Sequence, residues 1–430
     1  MTRPDASCTW GRVTASTIDP VGLSAIPGMS FVPSRAAGLD RLAAFVPHAG
    51  RAYADGRNSD PGPDRQQAVS LLSPYLRTRL LSEREVVQAV TAQHSSGSCE
   101  KFVQEVLWRT YWKGWLELRP AVWSRFTAER NALAIRGGMG GGMQKAIAAA
   151  ENGTTGIDGF DDWARELTGR GYLHNHARMW FASIWIFTLR LPWAAGADFF
   201  LRHLIDADPA SNTLSWRWVA GLQTAGKTYL ATADNIARFT GGRFAPQGLA
   251  TTAQPLSEEP LPRPAPLAPL PGFDPAAPAL LLITPEDLSP EILFADHGTI
   301  RAVHAAAAVS GSLWGEQAQE FVTAATADAA QRASAAFGCP AAVAAALDGP
   351  ALIAAARAAQ VSTIVTAYAP VGPVADALAA LAPQLAAEGI ALHQRRRAWD
   401  EAFWPHATKG FFPFRERIPA LLAEQNIVLR

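Results

Sequence analysis

Ten of the 33 residues between Pro246 and Pro278 are proline, with PLPRPAPLAPLPGF the densest run. Proline fixes φ and has no backbone N–H, so no helix or central strand can cross such a segment. It reads as an extended, semi-rigid linker or as a Pro-rich loop pressed onto one domain. Either way it divides the 430 residues into parts of unlike chemistry. Residues 1–250 hold 27 basic and 21 acidic side chains, whereas residues 251–430 hold 11 and 17, so the zero net charge is a cancellation. Eleven of the 14 tryptophans precede residue 251, ten of them between Trp108 and Trp218. The boundaries expected are a helical domain over 1–245, a linker over 246–278 and an α/β domain over 279–430.

Before the linker the pattern is helical. Ser82 followed by Glu85 reads as a capping box ahead of Val86, Val87 and Val90. The spacing predicts helices over 98–117 and over 173–191, the latter ended by Pro192, and Asp208-Pro209 reads as an N-cap with proline at the first helical position. The Gly137–Gly142 run lacks the Gly-Lys-Ser/Thr of a phosphate loop and reads as a flexible connection. After the linker, 279–284, 361–367 and 389–393 read as strands, with helices over 351–359 and 374–388 between them. That alternation predicts a parallel sheet covered by helices, a Rossmann-like arrangement. Gly372, after the second of these strands, suits a helix-entry turn as well as a phosphate contact.

Several chemistries are excluded. Cys8, Cys99 and Cys339 cannot make a four-thiolate metal site or a disulfide framework, which fits a reducing compartment. The first thirty residues hold no apolar h-region, and the stretch Met179–Phe187 is about half the ~20 residues of a membrane span. The expectation is a cytoplasmic protein with no membrane segment and no metal.

Three clusters have informative helical spacing. Glu105, Trp108, Arg109 and Trp112 fall at i, i+3, i+4 and i+7, which suits the wall of a polar-aromatic cleft or a surface ion pair beside packed indoles. Asn175, Arg178 and Met179 share a face suited to an anionic or heteroaromatic ligand, while His174 and His176, two apart, do not pair for a metal. Asp208, Asn212 and Trp216 follow at i, i+4 and i+8, and Trp216 and Trp218 must point in different directions.

With these residues the chain resembles the photolyase/cryptochrome family, over about Phe31 to Phe244. The likeness runs through Val69-Ser70-Leu71-Leu72-Ser73-Pro74-Tyr75-Leu76, Glu105-x-x-Trp108-Arg109 and Asn152-Gly153-Thr154-Thr155-Gly156 leading to Asp161. It continues through Gly171-Tyr172-Leu173-His174-Asn175-x-x-Arg178-Met179 and Leu204-Ile205-Asp206-Ala207-Asp208, up to Asn212-x-x-x-Trp216-x-Trp218. The resemblance implies an all-helical FAD-binding domain. Ser70, Leu71, Leu72 and Ser73 would hold the FAD phosphates. Tyr53, Arg109, Asn175, Arg178, Asp206 and Asp208 would surround the flavin, with Asn212 facing its N5. Glu105, Trp108, Tyr172, Met179 and Trp218 match positions that meet a pyrimidine dimer flipped from DNA. Trp193 and Trp216 match two members of an electron-carrying tryptophan chain whose third member is missing from 124–162, so that a detour through Trp180 or Trp185 is one path.

There are departures. Val69 replaces the usual threonine of the phosphate loop, Tyr172 stands where dimer-repair enzymes carry tryptophan, and Asn175 and Met179 replace the histidines of the (6-4) branch. Family members carry their α/β antenna domain first. Here the α/β part comes second, ending Thr408-Lys409-Gly410-Phe411-Phe412-Pro413-Phe414 much as that antenna domain ends, so a permuted order is expected. The resemblance implies a deoxyribodipyrimidine photo-lyase: FAD as cofactor, an antenna chromophore of unknown identity, damaged DNA as partner, and blue-light-driven splitting of cyclobutane pyrimidine dimers as reaction. The alternative it carries is a cryptochrome-like photoreceptor without repair activity, acting through a protein partner.

Overall fold

The computed structural model describes residues 31–65, 68–134, 140–309 and 313–429. Cys8 and Gly137–Met139 of the glycine run lie outside the described residues. Among the described residues twelve α-helices precede the proline segment: α1 (Arg35–Phe45), α2 (Arg51–Gly56), α3 (Ser73–Arg77), α4 (Glu83–Gln93), α5 (Ser96–Glu117), α6 (Ala121–Ala134), α7 (Gly141–Glu151), α8 (Phe160–Arg170), α9 (Asn175–Ser183), α10 (Trp193–His203), α11 (Pro209–Val219) and α12 (Ala233–Phe239). Local chemistry accounts for their ends. The Ser82 capping box forms on both sides, with Ser82 N donating to Glu85 Oε2 (2.9 Å) and Glu85 N to Ser82 Oγ (3.3 Å). Asp208 accepts from Ser211 N at 2.9 Å and so caps α11. The long helix expected over 173–191 is instead α9 followed by a π-helical turn, Ile184–Thr188. Gly140 caps α7, and Gly141 and Gly142 are its first turn rather than a loose connection.

After the proline segment come five parallel strands in the order β3-β2-β1-β4-β5. They are β1 (Ala279–Ile283), β2 (Ile300–Ala306), β3 (Ala341–Ala344), β4 (Thr363–Ala367) and β5 (Ala391–Arg395). β2 and β3 were not legible beforehand. β2 is broken by Arg301 and His304, and β3 is a four-residue, Ala-rich edge with little side-chain signal. Also unforeseen was α14 (Glu316–Phe337), the longest helix of this half, preceded by the single turn α13 (Pro290–Leu293). β1 alternates in the way a strand covered on both faces should. Leu280 and Leu282 pack with Leu352, Leu378, Leu381 and Leu385 beneath α15 (Gly349–Ala358) and α16 (Pro373–Ala387). Leu281 and Ile283 join the other core, which holds α14 and is continuous with that of the helical half.

The two halves therefore share one hydrophobic core. Arg35 N donates to Asp328 Oδ2 (3.2 Å) and Gly315 N to Arg202 O (2.7 Å), tying the middle and the N-terminus of α14 to the helical half. The proline segment contains neither helix nor strand and lies as a strap across the protein. Leu256 N donates to Ala220 O (3.0 Å), Ala265 N to Leu118 O (2.9 Å), Arg396 reaches Ala268 O (3.1 Å), and Glu258 pairs with the buried Arg217. Beyond β5 the chain leaves the sheet and packs α17 (Ala398–Phe403), α18 (Phe411–Arg415) and α19 (Ile418–Glu424) against the helical half. The approach to α5 is close. A Cβ on Gly114 would lie 2.8 Å from Trp404 Cα, so only glycine allows this seam. Among the described residues no helix is long and apolar enough to cross a membrane.

Candidate functional site

Helices α5, α9 and α11 converge on an open cavity of about 570 Å3, within the range of ligand pockets. One wall is polar: Asn175, Arg178, Asp206, Asp208, Ser211 and Asn212. The other is aromatic and apolar: Trp108, Trp112, Met179, Phe200, Trp216 and Trp218, with Glu105 and Arg109 among them. Each helix supplies most of its residues at i, i+3 or i+4 spacing, but α11 presents a broad face: Trp216 and Trp218, expected to point in different directions, both line the cavity.

The polar wall is held rigidly. Arg178 donates from Nη1 and Nη2 to the two oxygens of Asp206 at 3.0 and 2.8 Å, a fork that fixes both side chains. Asn212 Nδ2 donates to Ala197 O at 2.9 Å, which leaves the amide oxygen as its remaining acceptor. Asp208 is buried and contacted by Lys113 Nζ (3.1 Å) and Arg109 Nη1 (3.5 Å). Burial alone would raise its pKa, but Lys113, Arg109 and Arg77 hold it far below the ordinary carboxylate range. His176 lines the cavity between Trp180 and Phe239, and burial lowers its pKa. His174 is the N-cap of α9, accepting from His176 N, and burial pushes it down to about 4.

Each indole of the aromatic wall is backed by another ring. Phe411 stacks on Trp108 with centroids 3.6 Å apart and planes at 12°, and Tyr229 stacks on Trp218 at 5.6 Å. Trp216 is buried, its ring 5.1 Å from Phe200 and 6.2 Å from Trp185, and its Nε1 has no hydrogen-bond partner. A Cβ on Gly196 would fall 2.3 Å from Trp216, so α10 and α11 can meet there only through glycine. Glu105 stands at the mouth and pairs with Arg57.

Among the sequence-derived candidates, Glu105, Trp108, Arg109, Asn175, Arg178, Met179, Asp206, Asp208, Asn212, Trp216 and Trp218 all line this cavity. Others stand away from its lining. Ser70 to Ser73 form the turn into α3, where Leu72 N donates to Ser70 Oγ (3.3 Å) and Leu71 has φ 54°. Tyr53 is buried against Phe45 and Phe102, its phenol pKa raised by burial and then by Glu105. Tyr172 lies under the Arg178 guanidinium, 5.2 Å from its ring centroid. Trp193 is buried beside Phe126 at 5.6 Å and accepts the Arg217 guanidinium over its ring. The lining residues Arg57, Asn58, Ser211, Ser215 and Phe412 were missed. Ser211 and Ser215 fall one position before Asn212 and Trp216, a spacing that could have flagged them; nothing in the sequence joins Arg57 or Phe412 to α5.

The donor set suits a flat heteroaromatic ring with carbonyl and N–H edges: the amides of Asn175 and Asn212, two guanidiniums, two carboxylates and aromatic walls. Residues 102–247 match the family model described as the FAD binding domain of DNA photolyase. The helical half is thus similar to the FAD-binding domain of the photolyase/cryptochrome family. The deoxyribodipyrimidine photo-lyase of Agrobacterium fabrum is 32% identical over 195 residues, 44% of this chain and 39% of that one. That of Streptomyces griseus is 34% identical over 173 residues, covering 40% and 35%. That of Thermus thermophilus is 30% identical over 226 residues, covering 50% and 49%. A solved class III photolyase from Agrobacterium tumefaciens aligns with a TM-score of 0.42 at 29% identity, covering 49% of this chain and 44% of that one. The chain spans less than half the length of each of these photolyases. FAD is the cofactor of this domain family, and the cavity fits its ring system.

Proposed function

We propose that the protein is a light-driven, FAD-dependent lyase that splits cyclobutane pyrimidine dimers in DNA. One observation carries this reading: a single open cavity joins a rigid polar wall, suited to a flavin, to a wall of stacked indoles and a thioether, suited to a flipped pair of bases. Bound FAD would supply absorption of blue light and, when reduced, a transferable electron. The chain's own residues supply the rest. The Arg178–Asp206 fork and Asn212 would fix the ring edge, Asn212 being oriented by the bond from its NH2 to Ala197 O and keeping its amide oxygen and second N–H for the ring. Trp108 and Trp218 would offer flat surfaces to the dimer, held in place by Phe411 and Tyr229 behind them. Glu105, beside Arg57, would accept from a pyrimidine N–H edge. Trp216 would relay electrons for photoreduction, with Trp185 as the neighbouring indole at 6.2 Å and Trp193 further along the resemblance.

The test is to reduce the FAD-loaded protein, illuminate it with dimer-containing single- and double-stranded DNA, and follow loss of the dimer. Dimer loss that requires blue light is expected; none, with flavin bound, overturns the reading. A cryptochrome-like photoreceptor is the second reading, favoured by Phe411 covering one face of Trp108. It expects photoreduction that Trp216→Phe abolishes, without dimer loss in any DNA.

A further inference from the structure

Phe412 lines the cavity and yet is 68% exposed to solvent. A single apolar side chain turned to water is ordinary in itself; what sets Phe412 apart from the other exposed ones is its place on the cavity lining. The short helix α18 is anchored on both sides of Phe412. Phe411 is stacked on Trp108 at 3.6 Å, Phe414 is buried against Tyr111 at 5.4 Å, and Tyr111 Oη donates to Lys409 O at 2.7 Å. Two of the three phenylalanines are thus anchors, and the third projects at the rim. The segment around it is cationic. Within 409–417, Lys409, Arg415 and Arg417 are exposed against the one acid Glu416, the Arg415 guanidinium lies 5.4 Å from the Phe412 centroid, and Glu105, on the same cavity lining, is paired with Arg57.

An exposed aromatic ring beside cations at the lip of the cavity has the chemistry of a platform for single-stranded nucleic acid, where bases stack on rings and the charges follow the phosphates. We propose that Phe412 stacks on the nucleotide flanking the dimer and so holds the strand at the mouth, making the segment after the sheet part of the DNA-binding surface. This rests on the dimer-repair reading and extends it to a residue outside the domain that carries the flavin. A peptide or a second copy of the chain would also cover an exposed ring, but neither calls for a cation over it and two more in the same segment.

The experiment compares FAD-loaded wild type with Phe412→Ala, Phe412→Trp and Val428→Ala, the last being another exposed apolar residue outside the cavity lining. Binding to a labelled short single strand carrying one thymine dimer is followed by anisotropy, with flavin absorbance and sedimentation as companion readouts. Phe412→Ala should weaken dimer-strand binding roughly 5- to 100-fold, Phe412→Trp should bind like wild type, and Val428→Ala and flavin content should not change. Unchanged affinity in Phe412→Ala, with wild type binding well, overturns the platform and leaves the repair reading standing. A change of oligomeric state in Phe412→Ala assigns the ring to a self-contact and overturns it too. Failure of wild type to bind any dimer strand overturns both.

Discussion

The cavity among α5, α9 and α11 and the crevice at the carboxyl ends of the strands are two places where this architecture can hold a ligand. They are treated in opposite ways. The strand order reverses between β1 and β4, and in open α/β sheets ligands bind at that switch point. Here Glu286 and Asp287, which follow β1, meet the protein's own cations: Arg77 to Glu286 at 2.9 Å, Lys113 to Glu286 at 3.5 Å, and Arg397 to Asp287. Among the described residues the gap beside them is about 10 Å3, room for one water. Trp314 shares it, with the Arg77 guanidinium 5.3 Å from its ring. The polar wall of the cavity, by contrast, holds its charges around an open space of about 570 Å3. Topology thus sets where a ligand site can form, and side-chain pairing decides whether it stays open.

The closed crevice belongs to a buried network of five basic and five acidic groups: Arg77, Arg79, Arg109, Lys113 and Arg397 with Glu83, Asp208, Glu286, Asp287 and Asp400. It runs from the sheet to Asp208 on the cavity wall. The largest effect should come from breaking it. Arg79 faces Asp400 at 2.7 Å, Glu83 at 3.5 Å and Asp287 at 3.8 Å. Arg79→Met should cost about 3–5 kcal/mol in urea unfolding, because three carboxylates are left short of a partner. A loss under about 1 kcal/mol would show the network to be replaceable. The pH dependence has a definite sign. Burial alone would raise Glu83, Asp208, Glu286 and Asp287, yet the surrounding cations lower all four. Their contribution is complete above the ordinary carboxylate value of about 4 and is lost as pH falls below it. Asp400, raised chiefly by burial, opposes them. Stability should therefore fall between about pH 4 and pH 2; a flat profile would contradict the assignment.

Next in size is a test confined to the open site. Glu105 and Arg57 are about a third exposed, so Glu105→Gln should change stability by less than about 1 kcal/mol. If Glu105 meets the dimer, kcat/KM for repair should drop roughly 10- to 100-fold, the worth of a hydrogen bond to a charged group. Equal losses in stability and repair would place Glu105 with the structural charges instead.

Much of this contrast was legible in the sequence, for a physical reason. Helical spacing puts Glu105, Trp108 and Arg109 on one face and Asn175, Arg178 and Met179 on another, and the caps at Ser82 and Asp208 are local chemistry, so these needed no tertiary information. Arg57 and Phe412 reach the cavity through packing alone. The same holds for the network, where Arg77 and Glu286 are 209 positions apart. The edge strand β3 and helix α14 were hidden by alanine, whose small side chain marks neither period strongly. The proline segment was identified as a boundary, but its role as a strap depends on carbonyls of Leu118 and Ala220 that only the fold brings to it.

The third test concerns which region the chain's last helices serve. Gly114 on α5 faces Trp404 backbone at a distance no Cβ can share. Gly114→Ala should therefore push that segment outward and cost roughly 1–3 kcal/mol. Because the same segment carries Phe411 onto Trp108, the variant should also disturb the aromatic wall, seen as altered tryptophan emission. Lost stability with unchanged emission would separate the seam from the cavity.

The smallest effect is expected where an ion pair resembles the buried ones in chemistry alone. Arg357 at the end of α15 pairs with Glu388 after α16, their side chains 64% and 43% exposed. Water already solvates both charges, so neither has lost hydration that the partner must offset, and ordering two long side chains offsets most of the attraction. Arg357→Ala should shift stability by no more than about 0.5 kcal/mol, and the shift should vanish in high salt. It should leave flavin binding untouched, since the pair lies on helices covering the sheet face away from the helical core. A cost comparable to that of Arg79→Met would mean that burial is not what separates the crevice from the surface, and the contrast between closed and open sites would need another cause.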